Sequence, residues 1–503
     1  MKGKASLAAY SLVLGIYTVA AYHLPFFRHV LEYLGEGDSK VAVVAFLALM
    51  LTAMNFVLYY LLVYFGRTVG KFLIAFMLLF NAAAVYLVVS FNQMASVEMM
   101  GSVFHSNYNE VSGFFNFPLF FNTALLGVPP VIYLFARKVE RGSLRTLFAC
   151  AGIALVVGSG SAAANYSHMP VARRHAPQLC GLIFPWSYII NTARFLDSER
   201  IRHRDEILLP DAKLTTDTED VCVLIIGESV RRDHLSHYGY GRETCPYTSR
   251  DSVTALVATA SATYTIASVK ALLEPEETDD LYEILPNYLQ RTGIDVEWRT
   301  SNWGEPPVKT EKYYDVKALK RMYPEADAGF DGILLAGLKD AILSSDKPKQ
   351  FIVLHTYTNH GPMYCRDYPP EFEVFTPTGS NVEEYKANPQ LLYNTYDNSL
   401  IYTDSLIHSV IETMRGMPSK RACVLFVSDH GESLGEDNTY MHATPLEFAP
   451  KEQLEIPFLV WTQNTDLKVK DLQEVGQHHV YHSVLRFFGV DSPAFDESLC
   501  IFE

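Results

Sequence analysis

Five apolar runs fill the first third of this 503-residue chain, at about 5–27, 42–65, 70–92, 118–136 and 146–166. Each is close to the ~20 residues that an α-helix needs to cross a bilayer. A helix is one of only two ways a backbone can satisfy its polar groups inside lipid. The runs therefore predict a bundle of five membrane helices. The first follows Lys2 and Lys4 as a secretory signal would, but it has no convincing small-residue cleavage site and four more runs follow, so it reads as an uncleaved anchor.

Lysine and arginine orient the bundle. With the amino terminus in the cytoplasm, the inner loops hold Arg67 and Lys71, then Arg137, Lys138, Arg141 and Arg145, whereas 93–117 has neither residue type. An odd number of spans places everything after residue 166 outside the cytoplasm. Within 93–117, Ser102, Ser106 and Glu110 follow i, i+4, i+8 spacing. On a helix they form one polar stripe at the membrane surface, where a carboxylate can meet the cationic headgroup of a lipid. Residues 167–210 mix charge with proline and read as a connector along that surface.

Beyond about residue 210 the composition is that of a soluble α/β protein. The net charge of −15, carried mostly by this half, argues against a nucleic-acid partner. Seven cysteines without CxxC spacing fix no pairing, and Cys222 and Cys423 each lie six residues before an acidic candidate ligand, as matched positions on two core strands would.

Three apolar runs end in metal-ligating residue types. Ala422–Val427 leads into Ser428, Asp429 and His430; Val221–Ile226 into Gly227 and Glu228; and Phe351–Leu354 into His355, with His360 five residues on. Continuous apolar runs of this length predict buried parallel strands, and the carboxyl ends of such strands are where open α/β sheets hold ligands. Glu228, Asp429, His430 and His360 make an oxygen and nitrogen donor set that suits Zn²⁺ better than Mg²⁺ or Ca²⁺, with His442 a further imidazole for the same rim. Residues 251–268 are crowded with hydroxyls before a helix-compatible run, Ile266–Glu274. A hydroxyl at that helix start is suited to phosphate chemistry, and composition leaves Ser261, Thr263 and Thr265 open. Val230–Arg242 reads as a helix start running into a glycine turn, further strands are expected at 294–299 and 456–461, and Leu391–Met414 as a long helix. The fold class expected is an α-helical transmembrane domain plus a mainly parallel α/β domain flanked by helices.

The five spans, Ile226–His234 (IGESVRRDH), Thr263–Thr265 (TYT), Asn359–Pro362 (NHGP), Asn394–Asn398 (NTYDN) and Asp429–Glu436 (DHGESLGE) together resemble the membrane-bound phosphoethanolamine transferases of the alkaline phosphatase and sulfatase superfamily, which include lipid A modifying and colistin-resistance enzymes. The resemblance covers nearly the whole chain. It implies a transmembrane domain at 1–166, a linker at 167–210 and a periplasmic catalytic domain at 211–503, in a monomer of the bacterial inner membrane. It implies one zinc ion, or two, held by Glu228, Thr265, Asp429 and His430, with Thr265 as nucleophile and His360 and His442 serving the incoming and leaving groups. Substrate binding is implied for Ser102, Ser106, Glu110, Asn302, Lys309, His360 and His442. The reaction implied moves phosphoethanolamine from phosphatidylethanolamine to an envelope glycolipid or glycan, such as lipid A or the lipopolysaccharide core, through a phosphoethanolamine-threonine intermediate.

The chain also departs from the family pattern. Ser261, Ala271, Gly379 and Ala387 stand where the lipid A branch carries disulfide cysteines, and Pro306 stands where a basic residue is expected, leaving Lys309 as the nearest substitute. A phosphoglycerol transferase of the same superfamily shares these features, and a non-catalytic membrane scaffold or sensor is the alternative from another class. No Cys-x-Pro-x-Arg segment is present from which a sulfatase would make formylglycine.

Overall fold

The first apolar run divides into helices α1 (Leu7–Tyr22) and α2 (Leu24–Tyr33), bent by 61°. Pro25 explains the break, because a residue without an N–H is tolerated in a first helical turn and not in a helix interior. Helix α3 (Lys40–Phe91) has 52 residues, roughly 78 Å at ~1.5 Å per residue, more than twice the ~30 Å of bilayer hydrocarbon. Arg67 leaves the helical region (φ 47°, ψ −116°) and divides α3 into 40–66 and 68–91, which coincide with the second and third expected runs. Helices α4 (Val97–His105) and α5 (Tyr108–Phe114) follow, then α6 (Phe117–Ala136) and α7 (Leu144–Ala164). Helices α3, α6 and α7 are long and apolar enough to cross a membrane, and the bent α1–α2 pair makes a fourth such unit.

This is a computed structural model; it describes every residue except 1–4, 106–107, 203–205 and 279, and only the backbone of 108–110 and 201–202. Two compact units emerge, one of residues 1–100 and 114–195, the other of 101–113 and 196–503. In the first, tyrosine hydroxyls stitch helix to helix: Tyr10 donates to the Leu134 carbonyl (2.6 Å) and Tyr22 to that of Leu126 (2.9 Å). Such bonds hold membrane helices together where water exclusion contributes little. The expected connector is helical over α8 (Trp186–Arg202).

The second unit is built on an eight-stranded sheet. In chain order its strands are β1 (Asp220–Gly227), β2 (Thr254–Thr259), β3 (Asp295–Thr300), β4 (Lys312–Asp315), β5 (Lys349–His355), β6 (Arg421–Ser428), β7 (Glu455–Gln463) and β8 (Val475–Gly476). The spatial order is β8-β2-β7-β6-β1-β5-β3-β4, with β7 antiparallel to both neighbours and the other pairs parallel. The apolar runs of β1, β5 and β6 are buried throughout because both faces are covered. Cys222, Leu224 and Ile226 face the core closed by α9 (Thr265–Leu273) and α11 (His479–Phe488), while Val221, Val223 and Ile225 face that of α10 (Pro389–Arg415). Burying each such side chain stabilises by roughly 1.5–3 kcal/mol. Cys222 and Cys423 are register partners, and all seven cysteines are free thiols.

The helix start expected at Val230–Arg242 is replaced by two 3₁₀ turns, Arg232–His234 and Ser236–Tyr238. Side chains hold it out of an α-helix. His234, Tyr240 and Arg242 all converge on Asp397 of α10, at 2.7, 3.0 and 2.6 Å.

Candidate functional site

β1 and β6 lie side by side and parallel, so their ends deliver Glu228 and Asp429 to the same rim. Glycine makes the closeness possible. A Cβ on Gly227 would stand 2.7 Å from the Phe426 ring, and one on Gly431 would stand 2.1 Å from the Glu452 carbonyl oxygen. Beyond β1 the chain turns at Ser229, whose φ of 55° is rare for a residue other than glycine. That turn lets the Ser229 N–H donate to Asp429 Oδ1 (3.0 Å) and its hydroxyl to Glu228 Oε1 (2.7 Å). The Tyr396 hydroxyl of α10 locks it by donating to the Ser229 carbonyl (2.7 Å).

Thr265 is the first residue of α9 and aims its hydroxyl into this corner, 3.2 Å from Glu228 Oε2 and 3.4 Å from His430 Nε2. Of the three hydroxyls the sequence left open, Thr263 donates instead to the Thr444 carbonyl (2.6 Å), while Ser261 is held through its backbone by Gln477. His430 Nδ1 lies 2.8 Å from the Gly431 carbonyl, which can only accept, so Nε2 presents its lone pair to the cluster. It stands 3.6 Å from Glu228 Oε1 and 3.4 Å from Asp429 Oδ2. Ligand atoms of Glu228, His430 and His442 all lie within 4.8 Å of one another. The imidazoles continue the array: His430 and His442 have ring centroids 4.3 Å apart, and His442 and His360 5.4 Å. Asn302 Nδ2 donates to Glu228 Oε2 (2.9 Å).

This donor set fits a divalent cation. Glu228, Asp429 and His430 are fully buried, and Asp429 Oδ2 has no hydrogen-bond partner among the described residues. A buried carboxylate oxygen left so is costly unless a cation faces it. Burial, and then the charge of Glu228, push the Asp429 carboxyl well above its ordinary range. Burial acts on Glu228 in the same direction, but His360, His430, His442 and the Ser229 hydroxyl outweigh it and hold that carboxyl low. The Glu228, Asp429 and His430 trio, with Thr265 Oγ1 beside it, has the ligand types of a zinc site with one exchangeable position.

Other expected residues fall elsewhere. The Lys309 ammonium reaches Glu206 (2.6 Å) and its backbone N–H donates to Asn287. Ser102 lies in α4 and Glu110 falls in α5, while Ser106 lies outside the described residues. Sequence reading missed two supports. Glu432, fully buried, takes a hydrogen bond from His442 Nδ1 (2.9 Å) and another from the Tyr364 hydroxyl (3.1 Å). Glu305 meets His355 Nδ1 at 3.2 Å. Burial lowers the His355 imidazole, but Glu305, Asp429 and Glu228 together raise it by more. Glu432 stands two residues past His430, and that spacing was the signal available.

Replacing Glu432 by glutamine keeps the shape and removes the charge that orients His442. We expect turnover to fall by about 10–100-fold with little change in KM, the usual cost of losing such a supporting carboxylate, measured by steady-state phosphoethanolamine transfer.

Comparison with known proteins places this geometry. The sulfatase family model matches residues 220–490, and that of phosphoethanolamine transferase EptA/EptB matches residues 50–200. The chain is 30% identical to phosphoethanolamine transferase EptA of Helicobacter pylori over 95% of its length and 92% of that protein's. It is 27% identical to phosphatidylethanolamine transferase Mcr-2 of Escherichia coli over 95% and 94%. Its fold matches the integral membrane protein lipooligosaccharide phosphoethanolamine transferase A from Neisseria meningitidis, with a TM-score of 0.88, 24% identity and 99% of both chains covered. The C-terminal periplasmic domain of phosphoethanolamine transferase EptC from Campylobacter jejuni is 27% identical, with a TM-score of 0.51 over 58% of this chain and 97% of that one. The chain therefore belongs to the phosphoethanolamine transferases of the EptA and Mcr type, as an integral membrane enzyme with a sulfatase-like catalytic domain in the periplasm.

Proposed function

We propose that this enzyme takes phosphoethanolamine from phosphatidylethanolamine onto Thr265 and passes it to an envelope glycolipid, lipid A or the lipopolysaccharide core. The observation that carries the reading is the Thr265 hydroxyl, held between a buried carboxylate and a buried imidazole at the first turn of a helix. The relatives' names support both the donor and the acceptor class. Residues 1–166 anchor the chain, 167–210 form the linker and 211–503 carry the chemistry.

Glu228, Asp429 and His430 would hold zinc, with the Thr265 oxygen completing the set. Zinc there supplies positive charge that lowers the pKa of the threonine hydroxyl and favours its attack at neutral pH. Thr265 Oγ1 displaces diacylglycerol from the donor phosphorus, leaving phosphoethanolamine esterified to threonine. The His360 and His442 imidazoles protonate the departing glyceride oxygen and, in the second half, take the proton of the acceptor oxygen that displaces Thr265. Asn302 bonds Glu228 and fixes its outer oxygen. Segment 101–113, which carries Ser102, Ser106 and Glu110, belongs to the same compact unit as the catalytic residues, and the Ser112 hydroxyl accepts from Arg366 (3.0 Å) in the loop after His360. That tie supports a role for the segment in binding the donor lipid.

The test is mass spectrometry of envelope glycolipids from cells with and without the gene, alongside intact mass of the purified enzyme mixed with phosphatidylethanolamine. A phosphoethanolamine increment on both glycolipid and enzyme is expected. A phosphoglycerol increment on Thr265, or none on either, would overturn the reading.

A further inference from the structure

Trp303 occupies a position that the chemistry assigned so far does not use. The residues on either side of it are fixed against the reaction centre. Before it, Asn302 donates to Glu228 Oε2 (2.9 Å) and receives the Trp303 N–H on its own Oδ1 (2.8 Å). After it, Gly304 has a φ of 90°, and a Cβ there would stand 2.9 Å from the Ile266 side chain and 3.7 Å from the Ile266 backbone nitrogen. Ile266 follows Thr265 directly, so the Trp303 segment lies over the first turn of α9.

The indole is part of an aromatic wall. Its ring centroid is 5.4 Å from that of Tyr357 and 6.3 Å from that of His360, and Tyr357 and His360 are stacked at 5.2 Å with planes 12° apart. Through His442 the same run of rings reaches His430. Trp303 and Tyr357 are each partly exposed. Pro306 is uncharged, and the Lys309 ammonium reaches Glu206 (2.6 Å).

We propose that the Trp303 face, backed by Tyr357, is the seat of the donor's ethanolamine ammonium and so sets the headgroup specificity of the first half-reaction. A phosphorus in line with Thr265 Oγ1 leaves the ammonium one two-carbon arm away, beside the wall that begins at His442 and His360. An ammonium is attracted to the negative face of an aromatic ring when it lies within about 6 Å of the centroid, and indole is the strongest of the side-chain rings. The seat rests on the transferase reading given above and adds to it how a cationic headgroup is told from a neutral one of the same size.

The experiment follows adduct formation on Thr265 of the full-length zinc-loaded enzyme in mixed micelles, with acceptor omitted so that only donor recognition is read. Phosphatidylethanolamine is compared with phosphatidylpropanol, whose headgroup has a similar length and no charge. Wild type should favour the amine. Trp303→Leu should slow the amine donor about tenfold, the scale of one desolvated cation–aromatic contact, while leaving phosphatidylpropanol within twofold. Trp303→Phe, which keeps a ring in place, should show a smaller loss in the same direction, and it decides the matter should the leucine variant not fold. Equal slowing of both donors, or no change in their ratio in either variant, would overturn the seat. A wild-type enzyme that forms no adduct with phosphatidylethanolamine would instead overturn the transferase reading itself.

Discussion

Thr265→Ala is expected to abolish the phosphoethanolamine adduct and to lower transfer by about 10⁴-fold or more, the scale seen when a nucleophile is removed from a group of residues that act together. Adduct mass and transfer of labelled headgroup measure it. Fold should be unaffected, because Thr265 is a first-turn residue whose side chain meets only Glu228 and His430 among the described hydrogen bonds. The thermal transition should therefore stay within a few degrees of wild type. Thr265→Ser supplies the internal control. It restores a hydroxyl with more rotational freedom, so it should regain a measurable adduct at a lower rate. Transfer retained by the alanine variant would remove threonine from the reaction and leave a direct attack of acceptor on donor. A hydroxyl elsewhere cannot readily replace it, since Thr263 already donates to the Thr444 carbonyl and its segment is held by the Ala443 N–H on its own carbonyl.

Much of this site could be read before any fold was known, for a physical reason. A strand buried on both faces must be apolar throughout, so the point where it stops being apolar is conspicuous, and in a parallel sheet those points gather at one edge. Glu228 and Asp429 were found that way, and the register of β1 on β6 brings them together. The proposed nucleophile was harder. Three hydroxyls crowd the start of α9, and which one faces the carboxylates depends on the bond that removes Thr263, made to a residue 181 positions away. Resemblance chose Thr265 where spacing could not. The supports were harder to read for the same reason: Glu305 and Glu432 acquire their roles only when folding carries them to His355 and His442. The motif Asn394–Asn398 carries structure. Asp397 gathers His234, Tyr240 and Arg242, and Asn398 takes the N–H groups of Val374 and Phe375, so both shape loops around the site. In the membrane unit, the length and apolarity of the helices and the division at Arg67 were legible, whereas the bend at Pro25 follows from local backbone geometry that hydropathy does not report.

Removing the metal should destabilise the catalytic unit in a way that grows with pH, and Asp429→Asn should reveal the cause. In the stripped protein Asp429 titrates well above its ordinary value because it is buried and faces Glu228. A carboxyl whose folded pKa exceeds its unfolded value of about 3.9 contributes stability below that value and loses it as pH rises through the folded one. Glu228 is held low, so it stays ionised across this range and adds no slope. The chelated enzyme should therefore melt lower at pH 8 than at pH 5.5. Zinc does the reverse, since its binding displaces the Asp429 proton and tightens as pH rises. The gap between loaded and stripped melting temperatures should widen with pH, and scanning calorimetry at several pH values measures it. Asp429→Asn keeps the size of the side chain and removes both the titration and the repulsion of Glu228. The stripped variant should melt above stripped wild type at pH 8, although it should bind zinc weakly and lose transfer by about 10³-fold or more, since one of the three proposed ligands has lost its charge. A stripped wild type whose melting temperature rose between pH 5.5 and 8 would show that the two carboxylates do not repel, and with that the reason for a cation between them would be gone.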